Sequence, residues 1–353
     1  MRHDPHEPAA PPSPDADSPG KNAPASDPSA TEAMDPESTA SETVRAAVFD
    51  GPDAGVHVDA FPRPDLAPGA ALVQVSCCTV CGSDVHTYTG NRIEPTPAIL
   101  GHEMVGRIAA IGGTGLTDYH GEPLAIGDRV TWSMQVTCGD CFNCTHGIPQ
   151  KCTTLFKYGH AAISERHALN GGLTEACHLR PGTTLFRVPE AVPDVVISPA
   201  NCATATVAGA VRLAGPLPGR VVLVQGVGML GLTAIAMADA AGAAAIIALE
   251  RQARRREWAR SFGATVCVDP ADAHDDALEA VVQHHSDGRG ADVLLELTGD
   301  PDATERGLAA LRTGGTGVLV GATYPSRPLH VEAEDLVRRV LTVRGLHNYT
   351  HDD

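Results

Sequence analysis

Lysine is nearly missing from this chain. Lys21, Lys151 and Lys157 are the only three in 353 residues, and Asp plus Glu outnumber Lys plus Arg by 43 to 26, a net charge of −17. Residues 1–43 hold nine acidic and two basic residues, −7 of that total, so the rest of the chain carries −10. An acidic body argues against nucleic acid or an anionic membrane as partner. No uncharged apolar run approaches the ~18 residues of a membrane span, and no apolar segment follows Arg2, which argues against a secretory leader. A cytoplasmic protein is expected. Residues 1–43 also lack Val, Ile, Leu and every aromatic side chain. With so little to bury they cannot offset their ordering entropy, and they read as a disordered, acidic, Pro/Ala-rich extension.

Cysteine, by contrast, is present ten times. Cys138, Cys141, Cys144 and Cys152 follow a Cys-x2-Cys-x2-Cys-x7-Cys spacing. Such spacing lets one short loop wrap a tetrahedral Zn2+ with four thiolates, closed to substrate, and so marks a structural site. A second set lies apart in sequence: Cys81, His102 and Cys202. A catalytic zinc needs three protein ligands and an open fourth position, and this Cys2His set can provide them. Around it, Ser83 can place a hydroxyl near the open position and His86 can carry a proton onward. Asp84 can accept from the other N–H of the histidine and fix its tautomer, and Glu103 can face the metal from behind. Cys77, Cys78, Cys177 and Cys267 read as ordinary small apolar residues, and His284 and His285 as solvated. Thiols crowded in this way fit a reducing compartment better than a disulfide framework.

From Val44 the chain shows short apolar or alternating stretches between Pro and Gly punctuation: Val44–Phe49, Ala71–Val75, Met104–Ile111, Arg129–Trp132 and the region of Leu185–Val188. These suggest a compact β-rich domain over 44–200. After Arg220 the pattern becomes a βαβ series and implies a mostly parallel sheet over 201–347. Expected strands are Val221–Gln225, Ala244–Leu249, Thr265–Val268, Asp292–Leu297, Gly317–Val320 and Leu341–Arg344, with helices at Leu230–Ala241 and Ala303–Leu311. Gly226, Gly228, Met229, Leu230 and Gly231 form a Gly-x-Gly-x-x-Gly turn between strand and helix, where backbone N–H groups and the helix dipole favour a pyrophosphate. Glu250 closes the next strand, 24 residues after Gly226, where a carboxylate binds a ribose diol. That favours NAD, while Arg251, Arg254, Arg255 and Arg256 leave NADP open.

These segments resemble the zinc-containing medium-chain dehydrogenase/reductase family of alcohol and polyol dehydrogenases. The likeness covers about residues 44–347. It rests on Cys81-Gly82-Ser83-Asp84-Val85-His86, Gly101-His102-Glu103, Gly127-Asp128-Arg129-Val130, the four-cysteine lobe, Cys202 and the glycine loop. The resemblance implies an α/β protein: a GroES-like catalytic domain, then a doubly wound Rossmann domain, with the active site between them. It makes Cys81, His102 and Cys202 ligands of a catalytic zinc and Ser83 and His86 a proton relay. Cys138, Cys141, Cys144 and Cys152 become a structural site, so two zinc ions per chain are expected. The implied reaction transfers hydride between an alcohol, or the matching aldehyde or ketone, and a nicotinamide cofactor, in a homodimer or homotetramer. Gln150–Cys152, Leu155–His160 and Leu179–Thr184 look like a narrower subgroup associated with phosphonate metabolism. In that setting Lys157, His160 or Arg180 would meet an anionic group; surface charge is the plainer reading of all three.

Two features depart from the family pattern. The acidic extension lies outside the family core. Residues 348–353 end the chain where the family returns to its catalytic domain, so a truncated C-terminal end is expected, with the return missing and the cleft opened. Two rival readings follow: a zinc-free reductase of the same fold, which the complete ligand sets speak against, and a non-catalytic zinc- and nucleotide-binding protein left by the truncation.

Overall fold

The computed structural model describes residues 42–271 and 275–353. The expected extension therefore lies, up to residue 41, outside the described residues. Its last residue, Thr43, already pairs with Pro62 at the start of a strand, Thr43–Gly51. That strand alternates inward and outward residues, as a sheet with one buried face requires. It lies between Gly55–Pro62 and Ala98–Ile99 in a three-stranded sheet.

A five-stranded antiparallel sheet follows, in the order Leu185–Arg187, Arg129–Trp132, Glu103–Ile111, Ala71–Thr79, Ala176–Leu179. Val73, Met104, Ile108, Val130 and Trp132 fill its core. The register of the central pair sets Thr79 opposite Glu103. The strand leading to Cys81 and the strand following His102 are thereby fixed side by side.

The second half is a six-stranded parallel sheet, ordered Val266–Val268, Ala245–Leu249, Val221–Gln225, Ala291–Glu296, Leu311–Leu319, Thr342–Gly345. Val221–Gln225 and Ala245–Leu249 are buried at every position, because helices cover both faces. The strand order reverses beside Val221–Gln225, and at such a switch point the carboxyl ends of two strands open a crevice for a ligand. One expected boundary shifts. Asp300 caps the helix Pro301–Ala309 by accepting from the N–H groups of Asp302 and Ala303, and Leu311 begins a strand instead of ending that helix.

The last residues of the chain, where a truncated end is expected, are packed against both halves. Leu346 is buried in the core of the parallel sheet, and the last residues turn back onto the antiparallel half. Tyr349 is 3% exposed; its hydroxyl accepts from Met134 N at 3.1 Å and its carbonyl from Gln135 Nε2 at 3.2 Å. Thr184 Oγ1 lies 3.1 Å from His351 Nδ1, and Arg212 donates to Asp353 at 2.7 Å. Residues 346–353 are therefore held in place by both halves. Among the described residues, no single helix is long and apolar enough to cross a membrane.

Candidate metal centres and cofactor cleft

Cys81 is the N-cap of the helix Gly82–Tyr88, where unpaired N–H groups and the dipole favour a thiolate. Asp84, one turn on, is buried, and its Oδ2 accepts from Cys81 N at 2.9 Å. Its Oδ1 accepts from Gly101 N at 3.2 Å and lies 3.2 Å from His102 Nδ1, off the line of an aligned hydrogen bond. One carboxylate thus braces the two segments that carry Cys81 and His102. Gly101 has φ +88°, and a Cβ there would stand 2.7 Å from Cys78 Sγ. Only glycine fits that bend.

Cys202 arrives from the start of the helix Ala203–Ala214. Its neighbour Asn201 donates to the carbonyls of His102 (3.0 Å) and Trp132 (2.7 Å) and accepts from Met104 N (3.3 Å). With these braces in place, one ligand atom each of Cys81, His102 and Cys202 falls within 4.8 Å of the others. Hydrogen bonding from Cys202 lowers the Cys81 thiol to about 3 against the effect of burial, while the same bond raises Cys202. Thiols placed in this way give up their protons to a bound cation. His102 is 1% exposed. Burial pushes it down, but Asp84 and Cys81 outweigh burial and raise it to about 10. Two soft sulfurs and an imidazole suit zinc.

Ser83 Oγ stands 3.3 Å from His102 Nε2. His86, one turn along the same helix, is half-buried against Tyr324, with ring centroids 4.6 Å apart. Glu103 is buried, and burial followed by the Cys81 charge raises it to about 7. Its Oε2 accepts from Thr79 at 2.7 Å. Asn201 and Tyr324 escaped the sequence reasoning. Asn201 adjoins Cys202, a usable hint; Tyr324 sits in an irregular stretch and offered none.

In the four-cysteine lobe, sulfur–sulfur distances are 3.4 Å (Cys138–Cys152), 3.5 Å (Cys141–Cys144) and 4.0 Å (Cys138–Cys144). Zn–S bonds of about 2.3 Å imply a tetrahedral edge of about 3.8 Å, so the set fits a Zn2+. Backbone N–H groups of Cys138, Cys141 and Thr154 point at these sulfurs, as thiolates require.

Of the expected cofactor residues, Gly226, Gly228, Glu250 and Arg251 line a cavity of about 640 Å³ at the carboxyl ends of the parallel strands, and Met229, Leu230 and Gly231 do not. Gly226 adopts φ +87°, and a Cβ on Gly231 would lie 2.0 Å from Gly226 O, so both positions exclude side chains. Gly228 faces open space at the N-terminus of Met229–Ala240; Met229 is exposed and Leu230 half-buried. Glu250 Oε2 accepts from Val227 N and Oε1 from Gln252 N, each at 2.9 Å. Arg256 is tied to Asp269 at 2.7 Å and Arg254 stacks on Trp258. Arg251 and Arg255 line the cavity.

None of the three candidates for meeting an anion is a fully exposed side chain. His160 is buried, its ring 4.6 Å from that of His102, and Lys157 is half-buried. Arg180 instead stacks on Phe156.

Residues 67–190 match the alcohol dehydrogenase GroES-like domain, and residues 226–353 match the zinc-binding dehydrogenase family. The chain is 33% identical to 5-exo-hydroxycamphor dehydrogenase of Pseudomonas putida over 80% of its own length and 78% of that protein. It belongs to the zinc-containing medium-chain alcohol dehydrogenase family. The solved alcohol dehydrogenase of Thermotoga maritima superposes with a TM-score of 0.84 at 29% identity, covering 88% of this chain and 86% of that one. A protein of Sinorhizobium meliloti described as a zinc-binding dehydrogenase bound to NADP gives 0.77 at 27%, covering 88% and 85%. This alcohol dehydrogenase is accordingly an oxidoreductase acting on CH–OH donors, with zinc and a nicotinamide cofactor. It has a GroES-like part and a Rossmann part. The non-catalytic alternative finds no support among relatives that are themselves named dehydrogenases.

Proposed function

We propose that this dehydrogenase interconverts a polar alcohol and its carbonyl at Cys81, His102 and Cys202, with NAD as the preferred cofactor. The observation that carries this reading is the convergence of three donor atoms within 4.8 Å, braced by Asp84 and Asn201. Zinc held there would supply Lewis acidity toward the alcohol oxygen. Ser83 takes up the alcohol proton, and His86, one turn on, passes it toward solvent. Asp84 holds the His102 ring in orientation, and Glu103 sets the field behind the tripod. Gly226, Gly228, Met229, Leu230 and Gly231 present the helix N-terminus to the pyrophosphate.

Glu250 favours NAD, because two backbone N–H groups hold its carboxylate ready for a ribose diol and it would repel a 2′-phosphate. Arg256 and Arg254 are otherwise engaged, leaving Arg251 and Arg255 to oppose that preference. The four cysteines Cys138, Cys141, Cys144 and Cys152 hold a second, structural zinc. A phosphonate-bearing alcohol is the narrower substrate suggested by the resemblance around Lys157. The edge strand Thr342–Gly345, paired on one side only among the described residues, suits a homodimer or homotetramer. Metal analysis of unchelated protein should give two zinc per chain, and a panel of alcohols with NAD and NADP should give turnover favouring NAD. One zinc or none, or a clear NADP preference, would overturn the corresponding part.

A further inference from the structure

Near the tripod stands a positive charge that has no ion-pair partner among the described residues. Lys157 ends the short strand Phe156–Lys157. Its half-buried ammonium donates to one acceptor, Asn348 Oδ1 at 2.7 Å, and joins no ion pair among the described residues. Two residues later the chain runs so close to the tripod that a Cβ on Gly159 would sit 3.1 Å from His102 Cβ. On the other side, Asn348 precedes Tyr349, which packs with Met134 and Cys202. Lys157 thus lies on a stretch that runs past His102 and bonds to the residue before one packed on Cys202.

Its electrical surroundings are also positive. Burial first, then Arg92 and Lys151, lower the Lys157 amine to about 8. Glu94 and the Cys202 thiol oppose this lowering, but Glu94 is already engaged by Arg92 at 2.5 Å and by buried His160 at 3.4 Å. A desolvated cation without a direct ion-pair partner is unfavourable until one arrives. In a chain of net charge −17, such a cluster beside the reacting centre is not background.

We propose that Lys157 anchors an anionic group, carboxylate or phosphonate, carried by the alcohol substrate. The enzyme then selects acidic alcohols over neutral ones of equal length, an assignment that rests on the alcohol dehydrogenase reading of the tripod. The test compares kcat/KM for 4-hydroxybutyrate and 3-hydroxypropylphosphonate with kcat/KM for their neutral esters. Wild type should favour the anions, and in Lys157→Met the anion-to-neutral ratio should fall about 10- to 100-fold, the worth of one charge-assisted hydrogen bond. Lys157→Arg should restore most of it. A lysine that merely held Asn348 would change both substrates alike and leave the ratio fixed.

A second readout needs no turnover. Calorimetric titration of zinc-loaded protein with methylphosphonate and with acetate should show binding that Lys157→Met loses, and the two ligands reveal which head group is preferred. A wild type that prefers the neutral esters, an unchanged ratio in Lys157→Met, or anion binding equal in both proteins would overturn the proposal. Lys157-dependent anion binding with no alcohol oxidised at all would overturn the dehydrogenase reading and leave the anion site standing.

Discussion

Asp84 shows how much of the centre depends on one carboxylate. It bonds the N–H of Cys81 and of Gly101 and faces His102. Asp84→Asn keeps the shape and removes the charge. Zinc affinity at the tripod should fall 10- to 100-fold while the fold survives. Competition with a chromophoric chelator measures this, and unchanged affinity would remove Asp84 from the role. Asn201→Ala leaves the carbonyls of His102 and Trp132 unpaired in the interior. Each such loss costs about 1–3 kcal/mol, so the variant should denature at clearly lower urea concentration. Glu250 offers a third test. Glu250→Ser removes the charge opposing a 2′-phosphate and leaves Arg251 and Arg255 in the cavity, so the NADP-to-NAD ratio of kcat/KM should rise at least about tenfold, one such charge contact being worth 1.5–3 kcal/mol. A static ratio would place cofactor choice elsewhere.

Among the elements, the cysteine lobe is the least able to stand alone. Its helix Phe142–Thr145 buries no residue, so metal coordination must supply what a core would. Cys138→Ser should release one zinc and open the stretch 138–152 to protease, while the parallel sheet stays folded; metal analysis with peptide mapping reads both. A protected lobe lacking metal would refute the staple. The spacing of these cysteines was readable because all four ligands lie in one short loop. Val221–Gln225 was equally readable, since a strand covered on both faces must be an apolar run. The glycine loop was legible because Gly226 and Gly231 have no room for a side chain. Other features depended on distant partners. Asn201 meets His102 across 99 residues and Trp132 across 69. The Gln135–Tyr349 bond spans 214 residues, and nothing local in either segment announces it. Local pattern encodes elements; it does not encode which polar side chain will close a gap between them.

At the scale of the molecule, one edge of the parallel sheet meets no further strand among the described residues. Thr342–Gly345 is exposed throughout and pairs on one side only. Val337 (76% exposed) and Val340 (69%) stand nearby in sequence. Such an edge invites a second copy, and Val343→Lys should shift the protein toward monomer in sedimentation; an unchanged mass would point to another interface. The returning segment has a different consequence. It ties the antiparallel half to the parallel sheet by hydrogen bonds through Gln135, Met134 and Tyr349, whereas His86 and Tyr324 meet by ring packing. A cleft fastened along one jamb opens like a door. Product and spent cofactor should leave by a swing that pivots on residues 346–353 and is widest at Tyr324. Amide hydrogen exchange is then expected to be slow at Leu346 and Tyr349 and fast along 321–332, with cofactor slowing the second region far more than the first.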